Sequence, residues 1–357
     1  MLIESCPNQN HVNAILNSMR SARVGVLGDL CVDMYWHADM RRSQLSRETP
    51  HHPLPIVHEV VSPGGGANVA ANLAELNPAK VSVFSVIGAD WRGGLLTQEL
   101  GGLAIDTDGL VCAEGRVTAA YIKPMRHGIS DVVYEDPRLD FVNESPPSDG
   151  DINEMLRRLR SLASELDVLC VCDQLDSGCV TERVIDTLDE LSQQGLMIIA
   201  DSRERIGCFH NMIIKPNDIE GAAAARGLAG LDGLNGLNGL DGIDGVSSID
   251  LHAVALAFAR RNGRGAFITL GGSGCLVSDG ESVVHVPAFP AKPPLDICGA
   301  GDTFLSALAL SLASGATLVE AGYIANAAAS ITVRKVGITG AASAEEIAGV
   351  FAAGGSL

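Results

Sequence analysis

Short β-branched runs alternate with longer stretches of helical apolar spacing along most of the chain. Val24–Leu27 reads as a strand ending in Gly28-Asp29, Ala67–Leu76 as a helix and Val81–Ile87 as a strand. Val168–Cys172, Met197–Ala200 and Met212–Ile214 read as further strands, with a helix over Glu182–Gln194 and another from about Asp218. Leu251–Arg261 reads as a helix ahead of the strand Ala266–Leu270, and helices from Thr303 and Leu318 close the pattern. Alternation of this kind predicts an α/β fold whose mainly parallel central sheet is covered on both faces. Ligands of such sheets sit beyond the carboxyl ends of the strands. Asp29, Asp33, Asp173, Asp201 and Gly271 all fall there.

Two segments break the alternation. Met34–Val61 and Val117–Phe141 mix polar and apolar residues, with Pro50, Pro53 and Pro55 in the first. They read as short extended strands that leave the main sheet and form a small β-sheet lid over a site. From Gly227 to Gly245 glycine recurs at every third position without proline, which predicts a low-complexity surface loop rather than a collagen-like helix. The rest reads as a single domain over 1–357.

The stretch Asp296-Ile297-Cys298-Gly299-Ala300-Gly301-Asp302 runs directly into a helical apolar sequence. Its small residues allow close backbone approach, and the free N–H groups and dipole of a helix start favour an anion. An aspartate at that mouth can take the proton of an attacking hydroxyl. Anion hole plus base is what phosphoryl transfer to an alcohol requires. An Asp N-cap after a Gly turn accounts for the stretch equally well by itself. Gly64-Gly65-Gly66-Ala67-Asn68 could bring backbone and an amide to sugar hydroxyls, or form a plain Gly turn. Asn217 and Glu220 share the face of a helix start, where oxygen ligands could hold Mg²⁺ through its waters, although their spacing favours a capping box. Thr269-Leu270-Gly271-Gly272-Ser273-Gly274 could cradle phosphate or turn a tight hairpin into Cys275–Ser278. Asp33 could bind a pair of sugar hydroxyls or form an Asx turn.

The net charge of −18 argues against nucleic-acid and anionic-membrane partners. With 46% hydrophobic and only 4% aromatic residues, the core is built mainly from Ala, Val, Leu and Ile. Nine scattered cysteines, with no zinc spacing and no signal-like N-terminus, predict reduced thiols in a cytoplasmic protein. No GxxxxGK[ST] occurs, which removes the phosphate-loop kinases.

The order of these motifs decides among the readings. Gly-Asp…Asp, Gly-Gly-Gly-Ala-Asn, Asn-x-x-Glu, Thr-x-Gly-Gly-x-Gly and Gly-Ala-Gly-Asp together resemble the PfkB (ribokinase-like) family of carbohydrate kinases, from about Val24 to the C-terminus. Gly28–Trp36, Leu45-Ser46-Arg47-Glu48-Thr49-Pro50, Pro63–Ala71 and Ala325–Ala329 are most similar to its heptose-7-phosphate kinase branch. The resemblance implies a ribokinase-like three-layer α/β/α fold and ATP-dependent phosphorylation of a sugar hydroxyl. It implies Asp302 as base, with the Gly299, Ala300 and Gly301 amides as anion hole. Asp33, Gly65, Gly66, Asn68 and Arg126 would bind the sugar. Asn217, Thr269, Gly272, Gly274 and Asn326 would bind ATP, and Asn217 and Glu220 Mg²⁺, with a monovalent cation as a further candidate. A homodimer through the lid and a chain without the adenylyltransferase domain of many such enzymes are also implied. Ile297-Cys298 replaces the usual Thr-Thr, and Asp173–Gly178 lacks the aromatic and Lys typical of the heptose branch. Arg41, Arg42, Arg47, Arg126 and Arg138 concentrate positive charge in the lid segments, which suits a phosphosugar, since Arg binds phosphate bidentately. Edge-strand charge is the plain alternative. A kinase for a neutral sugar or nucleoside, and a non-catalytic binding protein on the same fold, are the competing functions.

Overall fold

The computed structural model describes residues 6–226, 249–336 and 340–354. After α1 (Gln9–Ser18) the chain forms β1 (Arg23–Gly28), β2 (Leu30–Asp39), β3 (Ile56–Gly65), α2 (Gly66–Glu75), β4 (Lys80–Gly88), α3 (Trp91–Gly102), β5 (Asp106–Ala113), β6 (Ala120–His127), β7 (Val133–Glu135) and β8 (Leu139–Phe141). There follow α4 (Asp149–Leu162), β9 (Val168–Asp173), α5 (Glu182–Gln193), β10 (Met197–Ser202), β11 (Ile213–Ile214), α6 (Asp218–Ala225) and α7 (Leu251–Asn262). The last elements are β12 (Ala266–Thr269), β13 (Cys275–Ser278), β14 (Val283–Val286), α8 (Ala300–Ala313), α9 (Leu318–Thr332) and α10 (Ala344–Ala352).

The main sheet has nine strands in the order β14-β13-β12-β11-β10-β9-β1-β4-β5. Its strands pair in parallel from β12 to β5, and β13 and β14 add an antiparallel edge. The Thr269–Gly274 stretch is therefore a hairpin turn, with Thr269 opposite Cys275. Strand β9 shows how the layers form. Val168, Cys170 and Cys172 enter the core shared with α2, α8 and α9, while Leu169 and Val171 enter the core shared with α4, α5 and α7. Every side chain of β9 is buried, as a parallel strand covered on both faces requires. All nine cysteines are free thiols, five of them buried.

The second sheet is larger than the alternation suggested. It has five strands, ordered β3-β2-β6-β7 with β8 also on β6. It begins at Leu30, not Met34, and β3 runs through Gly64 and Gly65 straight into α2. Helices α1, α3, α4 and α10 and strand β5 carry no signal that the sequence reading used. The Gly227–Gly245 repeat lies outside the described residues.

One carboxylate ties the two sheets together. Between β1 and β2, Asp29 accepts hydrogen bonds from the Gln174, Leu175 and Cys179 amides at 2.8–2.9 Å, and its own carbonyl accepts from Gly66 N–H at 2.9 Å. A Cβ on Gly178 would fall 2.2 Å from the Asp29 carboxylate, so only glycine fits there. Burial raises the Asp29 pKa, against the pull of the three amides. Asp29→Ala would leave three buried N–H groups unpaired, at roughly 1–3 kcal/mol for a lone group. We expect a loss of at least about 2 kcal/mol in urea unfolding; a variant within about 0.5 kcal/mol of the parent would remove Asp29 from this role.

Candidate active site

Helix α8 begins where Gly299 takes a left-handed conformation (φ 77°), which turns the chain sharply into the helix. Asp302 stands in the first turn. Its Oδ2 accepts a 2.7 Å hydrogen bond from Asn68 Nδ2 of α2. Asn72 Nδ2 donates to the Asn68 carbonyl and Oδ1, Thr303 Oγ1 donates to Asn72 Oδ1, and Thr332 Oγ1 lies 3.1 Å from Thr303 Oγ1. This buried polar chain fixes the base against α2 and α9. Burial pushes the Asp302 pKa up to about 6, and Asp201 adds to the rise; the Asn68 bond and Lys215 oppose it. Lys215 is itself buried, paired with Asp201 at 3.1 Å across β10 and β11.

Asp302 opens on a cavity of about 310 Å³. The small sheet supplies Cys31, Asp33, Gly65, Tyr121 and Lys123, and the segment leading into β8 supplies Arg138. The ends of the main sheet supply Asp29, Gln174, Leu175 and Arg203, and the α8 turn supplies Cys298, Gly299 and Gly301. A Cβ at Gly301 would meet nothing within 4 Å, so room for a ligand remains beside its amide. Gly65 has φ 56°, and a Cβ there would sit 2.7 Å from the Asp29 carbonyl, so glycine is required by the backbone.

Several expected site residues are placed differently. Ala300 N–H is used within the turn, donating to Ile297 O at 3.2 Å, so Gly299 and Gly301 are the amides beside the cavity. Gly66 packs against the Asp29 carbonyl and lies outside the cavity wall, and Asn68 reaches Asp302 rather than open space. Arg126 is not on the wall; it pairs with Asp136 at 2.7 Å. Arg41 and Arg42 turn to Asp39, and Arg47 is also absent from the wall. Arg138 alone of the five lid arginines reaches it.

Asn217 and Glu220 do form a capping box, each backbone N–H donating to the other side chain at 2.8 Å. Burial nevertheless raises the Glu220 pKa, and Asp201, Lys215 and Arg203 all act on its carboxylate. Thr269 bridges to Asn217, which sets β12 beside this helix start. Gly274 has φ 96° and is pressed against the Val286 carbonyl, while Gly272 faces open space. Asn326 is buried, its amide donating to the Val286 and Pro287 carbonyls. These residues gather over β11 to β14, one side of Asp302, and the cavity lies over β10, β9 and β1 on the other.

Lys123, Tyr121 and Arg203 were not singled out in the sequence. The two-residue spacing of Tyr121 and Lys123 was their only mark, since it puts both on one face of a strand.

An α/β sheet with a second sheet over its strand ends, and a buried carboxylate at a glycine-lined helix mouth, defines a phosphotransferase acting on an alcohol. The chain belongs to the pfkB family of carbohydrate kinases, whose family model matches residues 31–345. It is 28% identical to Bifunctional protein HldE of Geobacter metallireducens over 342 residues, 95% of this chain and 65% of that protein. It is 30% identical to Bifunctional protein HldE of Desulfatibacillum aliphaticivorans over 321 residues, 89% of this chain and 60% of that one. The chain thus spans 60–65% of the length of these two relatives. The crystal structure of phosphofructokinase-2 from Escherichia coli in complex with potassium superposes with a TM-score of 0.69 at 20% identity, covering 93% of this chain and 99% of that one. Arabidopsis thaliana ribokinase, complexed with ribose and ATP, superposes with a TM-score of 0.61 at 20% identity, over the same shares. These likenesses show the ribokinase-like fold. Residues 31–345 are thus a carbohydrate-kinase domain of the pfkB family. Among the described residues no helix is long and apolar enough to cross a membrane.

Asp302→Asn separates catalysis from folding. As a lost general base it should lower kcat by roughly 10²–10⁴. The raised pKa of Asp302 means that ionisation disfavours the folded state, so wild-type stability is lost as pH rises from about 4 through about 6. The Asn variant should therefore melt no lower than wild type at pH 7, and the difference should shrink below about pH 4. Near-normal turnover, or a variant markedly less stable at pH 7, would contradict the assignment.

Proposed function

We propose that this kinase transfers the ATP γ-phosphoryl group to a hydroxyl of a phosphosugar, with a heptose 7-phosphate as the acceptor. The observation that carries the catalytic part is Asp302, raised toward neutrality by burial, at the α8 mouth and on the cavity wall. The acceptor hydroxyl lies at Asp302, which takes its proton as the oxygen attacks. The Gly299 and Gly301 amides stabilise charge on the transferred group. Asp33 accepts hydrogen bonds from sugar hydroxyls at the small-sheet end of the cavity. That sheet acts as the lid and excludes water.

The residues over β11 to β13 hold the nucleotide, with Asn217, Thr269, Gly272 and Gly274 nearest its phosphates. Asn326 stands behind them as a structural support of the adenine side. Glu220 fits Mg²⁺: the ion keeps several waters and takes one or two carboxylates together with substrate phosphates. Among the described residues no cluster of three His, Cys, Asp or Glu side chains would strip it further. Bound there, Mg²⁺ would neutralise phosphate charge during transfer. The open face of the small sheet, with Val60 39% and Val133 44% exposed, is the surface through which a homodimer would form.

The heptose assignment rests on the similarity of Gly28–Trp36, Leu45–Pro50 and Pro63–Ala71 to the heptose-7-phosphate kinases and on the HldE relatives. A panel of acceptors with ATP and Mg²⁺ tests it: D-glycero-D-manno-heptose 7-phosphate, fructose 6-phosphate, free fructose, ribose and adenosine. We expect the highest kcat/KM for the heptose phosphate. A higher value for ribose or adenosine would make this a neutral-sugar or nucleoside kinase, and no turnover on any sugar would favour a binding role.

A further inference from the structure

Two cations come together on one wall of the cavity. Strands β6 and β8 are antiparallel, with Tyr121 opposite Asp140 and Ile122 opposite Leu139. Lys123 follows that last pair on β6 and Arg138 immediately precedes β8, and both line the cavity. Like charges held near one another are destabilising. In a chain of net charge −18, such a pair turned into a cavity calls for an anion.

The partners on hand meet that demand for Arg138 but not for Lys123. Arg138 is paired bidentately with Asp140 at 2.6–2.7 Å and lies over the Tyr121 ring. Lys123 donates to the Tyr35 hydroxyl at 3.2 Å, a neutral partner. The nearest shared carboxylate is Asp33, on the same face of β2, where Tyr121 is its opposite number on β6 and Lys123 stands opposite Tyr35. Burial raises the Asp33 pKa while Lys123 and Arg138 lower it. Burial opposes the charge on Lys123, but the Tyr35 hydroxyl and nearby negative groups hold its pKa above the ordinary value, so the ammonium is fully charged at neutral pH. Arg203 lines the same cavity and acts on Tyr121 and Cys31 as well as on Glu220, so it stands between the donor and acceptor sides.

We propose that Lys123 and Arg138 form the subsite for the phosphate that the acceptor already carries, and that this pair selects a phosphorylated sugar over its free counterpart. This rests on the phosphosugar reading above and gives it residues. The acceptor then spans the cavity. Its phosphate lies between the Lys123 ammonium and the Arg138 guanidinium, its hydroxyls face Asp33, and its reacting hydroxyl reaches Asp302. Arg138 offers planar donors and Lys123 a compact charge, a pairing suited to a phosphate dianion. No bond forms or breaks at this end, so the pair acts on binding and not on the transfer step.

The test uses the full chain and two readouts. Calorimetry gives Kd for heptose 7-phosphate, fructose 6-phosphate and free fructose, and steady-state assays give KM for ATP and kcat. Wild type should bind at least one phosphosugar about tenfold or more tighter than free fructose. Lys123→Gln and Arg138→Gln should each weaken that phosphosugar about tenfold or more, with free-sugar affinity and KM for ATP within about threefold of wild type. Lys123→Arg should keep most of the preference, while Lys123→Met, which keeps the aliphatic stem without the charge, should lose it. Equal weakening of phosphorylated and free sugars, or unchanged phosphosugar binding in both Gln variants, would overturn the subsite. Preference for fructose 6-phosphate would displace the heptose reading and support the subsite. Wild-type indifference to the phosphate would overturn the subsite and leave the kinase assignment intact.

Discussion

The hydrogen bond from Asn68 to Asp302 joins residues far apart in sequence, and the site depends on it. It holds a carboxylate at the mouth of α8 in surroundings that favour its neutral form. Free of that donor, a buried carboxylate would be protonated further or would swing toward water. Behind it, Asn72, Thr303 and Thr332 satisfy one another from three helices, so Asn68 cannot easily turn away. A connected buried network of this kind rigidifies the groups it contains. Helix packing of α2 against α8 is thus what sets Asp302 at the cavity wall.

Asp29 plays the matching part for the walls. It fixes the corner where the chain leaves the main sheet for the small one, and it fixes the loop after β9 that carries Gln174 and Leu175. The cavity therefore has one wall from each sheet, with α8 closing it. Negative groups (Asp29, Asp33, Asp302) and positive ones (Lys123, Arg138, Arg203) are interleaved around it, although the whole chain is strongly acidic. With as many cations as carboxylates, this cleft opposes an anionic substrate less than a chain of net charge −18 does as a whole.

Much of this was legible in the sequence where a motif dictates backbone. The strands β1, β4, β9 and β10 and the helices α2, α7 and α9 follow from apolar runs bounded by glycine or aspartate. Asp302 and the flanking glycines follow from the chemistry of a helix mouth. The competing plain readings were also partly right: Asn217 and Glu220 cap a helix, and Thr269–Gly274 turns a hairpin. The small sheet was visible only as an interruption, because its strands draw burial from helices distant in sequence. Charge counting along the segment pointed to Arg126 and Arg41; the partner of Arg126, Asp136, emerges only with the fold, while Asp39 stands two residues before Arg41. Lys123 went unnoticed because a lone lysine in a strand carries no local signal; the pairing of β6 with β2 and its place on the cavity wall give it meaning.

The central claim is that burial tunes Asp302 into a base that works near neutrality, and the pH dependence of kcat/KM for the sugar at saturating MgATP tests it most directly. The account predicts an acid limb with a midpoint near pH 6 that includes a contribution absent from the residual rate of Asp302→Asn, which separates it from the sugar phosphate's own second ionisation at about pH 6. A rate that stays flat from pH 7 down to about pH 4 would contradict it.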